Sequence, residues 1–92
     1  MAILDANNVT VCMHEKKAGT KSSAQGTERS YDRHWTPVHL DFHVPDLDAV
    51  LAKVRAEGGT VEREFRNQGP MPVAFCSDPF GSGFCVLGKR AP

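Results

Sequence analysis

The sequence predicts an α+β fold in which residues 38–90 form a strand, a helix and three further strands, with a strand hairpin ahead of them. Three observations predict it. Leu40, Phe42 and Val44 alternate with His39, Asp41 and His43, the period-two pattern of a strand with one apolar and one polar face. Leu47, Val50, Leu51 and Val54 then recur at i, i+3, i+4 and i+7, which places them on one stripe of a helix. Two apolar runs, 71–76 and 84–89, flank Asp78-Pro79-Phe80-Gly81, where Asp, Pro and Gly hold the positions that a type I turn favours.

Taken in order, residues 1–15 read as a hairpin. Asn7-Asn8 supplies the turn, because Asn tolerates positive φ. Val9, Val11 and Met13 alternate with Thr10, Cys12 and His14. Residues 16–37 are polar, contain Gly and Ser, and hold no period, so they read as a mobile linker. Tyr31 and Trp35 near its end are aromatics able either to fold over a pocket or to anchor the segment on apolar surface. Strand 38–44 follows, and Asp46 is placed to cap the helix. Asp48 adds negative charge near the positive end of the helix dipole. Gly58-Gly59 ends the helix, as glycine does where the chain turns left-handed. Residues 60–66 are charged enough to suit an outer strand. Pro72 stands at the start of its run, where a strand tolerates it.

Composition narrows the function classes. Ninety-two residues suffice for one small domain. Such a chain hides only roughly 60–70% of the surface its unfolded form exposes, so a partner chain would aid it. Eleven basic and eleven acidic side chains cancel and are not striped, which argues against a nucleic-acid partner. No apolar run approaches the roughly 18–20 residues that cross a bilayer, so no membrane partner is expected. Three cysteines without zinc-finger spacing suit a reduced, cytoplasmic protein better than a disulfide scaffold.

HLDFHVPDLDAVLAKVRAEGG followed by VAFCSDPFGSGFCVL resembles the second module of the vicinal oxygen chelate superfamily, which includes glyoxalases, bleomycin- and fosfomycin-resistance proteins and extradiol dioxygenases. The resemblance implies one complete βαβββ module at 38–90 in a glyoxalase-like curved mixed sheet. Residues 1–15 resemble the closing strands of an incomplete first module, and 16–37 the linker between modules. It also implies a cup around a small molecule, with metal ligands from the first and last strands of each module. Of four ligand positions, one keeps the usual residue, His39; Cys12 and Cys85 stand where the family often has glutamate, and the opening strand of the first module has no counterpart here.

The candidate ligand-binding residues are therefore His39, Asp41, His43, Cys85 and Trp35. His39, with Cys12 and Cys85, is the candidate metal set, a Cys₂His group of zinc type. The plainer reading makes both cysteines small apolar replacements for ligands no longer needed. No catalytic residue and no cofactor follow from the sequence, and a divalent metal is the less favoured reading. Three functions stand side by side: a small-molecule-binding protein of glyoxalase/bleomycin-resistance type, a metal-dependent lyase or dioxygenase-like enzyme with a site shared between chains, and a non-catalytic self-associating remnant. All three accommodate a homodimer, formed across the 38–44 edge or by exchange of the hairpin.

Overall fold

In the computed structural model, which describes residues 2–21 and 26–90, the chain forms a mixed α+β structure of two compact units, Met1–Ser30 and Tyr31–Pro92. In the first unit β1 (Ala2–Ala6) pairs antiparallel with β2 (Val9–Met13). Asn7 takes the turn at φ 55, the left-handed region that asparagine enters more readily than most residues. The register sets Leu4 opposite Val11 and Ala2 opposite Met13, so these share a face, while Ile3, Asp5, Thr10 and Cys12 share the other. Ile3, Leu4, Val9 and Met13 are all exposed. Farther on, Gly19 N–H donates to Arg29 O at 2.8 Å and Arg29 N–H to Thr20 O at 2.7 Å. Residues 22–25 of the expected linker lie outside the described residues.

In the second unit the helix α1 (Leu47–Ala56) begins where Asp46 accepts a hydrogen bond from Ala49 N–H at 3.1 Å. Its end is built from two reversed bonds: Gly58 N–H to Arg55 O and Gly59 N–H to Val54 O. This Schellman arrangement needs a left-handed residue, supplied by Gly58 at φ 91. The remaining strands are β3 (Asp41–His43), β4 (Thr60–Phe65), β5 (Val73–Ser77) and β6 (Gly83–Leu87). They lie in the order β3-β6-β5-β4, with β3 parallel to β6 and the other pairs antiparallel. The sheet is open, and β3 and β4 are its edges.

Leu47 and Leu51 bury against Ala74, Cys76 and Val86 to form the core. Full burial of each leucine is worth roughly 1.5–3 kcal/mol. The turn between β5 and β6 follows the expected chemistry: Gly81 N–H donates to Asp78 O at 3.1 Å, and the Asp78 carboxylate accepts from Phe80 N–H and Ser82 N–H.

The opening strand differs from expectation. Regular strand covers only Asp41–His43, although Leu40 O still accepts from Cys85 N–H and Val44 N–H donates to Leu87 O. Of the three side chains on the apolar face, Leu40, Phe42 and Val44, only Val44 packs against the core. Leu40 is 52% exposed and Phe42 47%. The reason is geometric: α1 seats its leucines over β5 and β6, so β3 lies beyond the helix.

Candidate functional site

β3 and β6 run parallel with Asp41 opposite Cys85, Phe42 opposite Val86 and His43 opposite Leu87. Opposed residues share a face, so Phe42 falls on the side of the core residue Val86, while Asp41 and Cys85 fall on the other. β5 adds Phe75, opposite Cys85, to that second side. His39, two residues before Asp41, joins them: its Nε2 lies 3.2 Å from Asp41 Oδ1 and 3.6 Å from Cys85 Sγ. One potential ligand atom from each of the three lies within 4.8 Å of the others. The structure thus brings three of the sequence-derived candidates into one cluster. His43 is one strand repeat farther on, a spacing of about 6.5–7 Å, and is not part of it.

His39 Nε2 is within hydrogen-bond reach of the Cys85 thiol and at ion-pair distance from the Asp41 carboxylate, and the ring tautomer sets which of the two it engages. Cys85 is 4% exposed. Burial, reinforced by the negative charge of Asp41 and a hydrogen bond to it, pushes the Cys85 thiol up to about 11. At neutral pH the sulfur keeps its hydrogen, and thiolate nucleophilicity is suppressed rather than promoted. Asp41, half-exposed, accepts from the thiol and stands at ion-pair distance from the imidazole.

Trp35 stands edge-on to His39, ring centroids 5.1 Å apart, and edge-on to Phe75 at 5.7 Å. Phe75 in turn meets Phe65 at 5.6 Å. An aromatic row therefore borders the polar cluster. Trp35 therefore touches both the polar strand face and an apolar ring.

Cys12 lies in the first unit, exposed on β2. His34 bridges to Ser82, and its Nδ1 lies 2.7 Å from Asp32 O. Sequence reasoning missed Arg33, Glu62, Phe75 and Gly83. Gly83 carried a signal, since a glycine opening an apolar strand marks close approach of another group. A side chain there would place its Cβ 2.4 Å from the Trp35 indole. A separate apolar groove of about 540 Å³ opens on the opposite side, between α1 and the 78–79 turn, lined by Val50, Val54, Pro79 and Phe84. None of the cluster residues lines it.

No helix among the described residues is long and apolar enough to cross a membrane. A family model described as Glyoxalase-like domain matches residues 5–87, nearly the whole chain. No curated protein and no solved structure gives a significant match.

Proposed function

We propose that the chain, which belongs to the glyoxalase-like domain family of the vicinal oxygen chelate superfamily, is a small-molecule-binding protein whose site is the sheet face bearing His39, Asp41 and Cys85. The observation that carries this reading is the convergence of an imidazole, a carboxylate and a buried thiol within 4.8 Å, beside an aromatic border. Apolar walls with a few convergent polar groups are what a small-molecule site requires. Asp41 supplies an acceptor, His39 donates or accepts according to its tautomer, and His43 adds a second imidazole at the rim.

The four-stranded sheet is open, so a second copy completes the enclosure. β3 has a neighbour on one side only, and Val38, Leu40 and Phe42 are exposed along it. An edge with unsatisfied N–H and C=O groups beside apolar side chains is a template for another strand. The expected assembly is a homodimer in a soluble, cytoplasmic setting.

Titrating an isotope-labelled sample with a panel of small aromatic and polar compounds tests the binding role. Displacement of the His39 ring resonances, with weaker effects at His43, is expected for at least one class. Silence at both residues across the panel removes the proposal.

The second reading is a metal-dependent lyase or dioxygenase-like enzyme, favoured by the donor set itself. One nitrogen, one oxygen and one sulfur are zinc-type ligands. Against it, Cys85 holds its proton to about 11, and the three groups already satisfy one another. Binding would have to displace that proton. Elemental analysis of protein prepared without chelators decides: stoichiometric metal, or stabilisation by zinc, nickel, manganese or iron, would move this reading to first place.

A further inference from the structure

Residues 31–36 form a strap across the start of β6, and the sheet is cut away to receive it. His34 N–H donates to Gly81 O at 2.8 Å and Gly83 N–H donates to His34 O at 3.2 Å, which ties the strap to the 78–83 turn. Tyr31 packs edge-on against Phe80. Gly81 sits at φ 86, and a Cβ there would meet Asp32 O at 2.4 Å; Gly83 leaves the place taken by the Trp35 indole. Two glycines two residues apart thus vacate the volume that the strap occupies.

Charge fixes the strap at its other side. The Arg33 guanidinium donates through Nε and Nη2 to both carboxylate oxygens of Glu62. It also donates to His34 O and stands 4.9 Å from the centre of the Trp35 ring. Such a planar fork holds direction as well as charge, which a lysine would not. Glu62 is available because β4 is irregular there. Val61 opposes Cys76 and Arg63 opposes Phe75, so Glu62 is the extra residue of a bulge, freed from the alternation of the strand.

We propose that Arg33 and Glu62 are a latch that positions Trp35 against His39, making Trp35 the adjustable wall of the binding site. Arg33 is a positioning residue: it acts through the indole. The inference rests on the reading that the His39 face takes a ligand, and it adds which side of that site moves. Breaking the ion pair removes the tie between the strap and β4 and loosens the ring against His39 and Phe75.

Trp35 is the single tryptophan of the chain, so its emission reports this one ring. Glu62→Gln removes the charge that holds Arg33. Glu64→Gln is the matched control, since Glu64 pairs with Arg66 at 2.7 Å on the same strand without touching the strap. In Glu62→Gln, red-shifted emission and acrylamide quenching raised roughly two-fold are expected, as a ring now 40% exposed becomes free. The His39 ring resonances should move with it, while the far-UV circular dichroism stays that of the parent. Unchanged emission in Glu62→Gln, or an equal change in Glu64→Gln, overturns the latch. A ligand that displaces His39 resonances should also perturb Trp35 emission; one that does so with Trp35 silent overturns the wall. A compound panel that leaves His39 unmoved removes the binding site itself, and the latch is then still judged by the emission of Glu62→Gln alone.

Discussion

Asp41 is the residue on which the chemistry of the cluster turns. It faces the imidazole at ion-pair distance and accepts from the thiol, and its charge adds to burial in holding the Cys85 proton. Asp41→Asn should lower the Cys85 titration from about 11 while leaving it above the ordinary thiol range, because burial is the larger cause. Thiolate absorbance in a background lacking Cys12 and Cys76 measures this. The linked effect on stability has a definite sign. A thiol raised in the folded state stabilises the protein below its unfolded value, about 8.5. That contribution is lost as pH rises toward about 11. Alkylation should follow exposure as well: Cys12 reacts in the folded protein, whereas Cys76 and Cys85 are buried and react only on opening. Mass spectrometry after timed labelling shows the order. Glu62 shifts the opposite way. The Arg33 hydrogen bonds hold its carboxyl below the usual glutamate range, with smaller help from Ser77. The latch should therefore be closed above the ordinary glutamate value. It should open only as pH falls through the lower, folded one, later than an unpaired glutamate would. Trp35 emission across an acid titration follows that opening.

Among the elements, α1 is where packing and local signals agree most closely. Leu51, almost wholly buried, should cost about 2–5 kcal/mol when replaced by alanine. Asp46→Ala, which removes only the cap, should cost about 1 kcal/mol. Urea unfolding of the two variants checks both sizes and their ranking. The helix was legible in the sequence because its cap, stripe and glycine stop are short-range features. The Asp78–Gly81 turn and the Asn7 turn were legible for the same reason. The opening strand was legible in its alternation, and hence in which side chains face the cluster, but not in its length. Alternation records that one side is apolar; it does not say whether a helix reaches that far, and here α1 stops short of β3. The latch left no local trace. Arg33 and Glu62 are separated by 29 residues, and Glu62 reaches the strap only because of a one-residue irregularity in β4. The His39–Asp41 pair follows from strand spacing, whereas Cys85 joins it through the parallel register of two strands at opposite ends of the module.

At the scale of the whole molecule, a single chain leaves much apolar surface uncovered. The hairpin exposes Leu4, Val9 and Met13, and β3 with the residues leading into it exposes Val38, Leu40 and Phe42. For 92 residues that is a large fraction of the side chains able to build a core. Light scattering at micromolar concentration should give twice the chain mass; a single-chain mass would contradict the assembly. Phe42→Lys, on the edge strand, should shift the mass toward one chain by placing an unpaired charge at the contact. The open flank of β3 also bears on how the protein ought to be handled. When folding is coupled to association, melting temperature climbs with concentration. Dilution would then loosen the protein as surely as mild warming, and an assay run at nanomolar protein would interrogate a different species from the one seen by calorimetry.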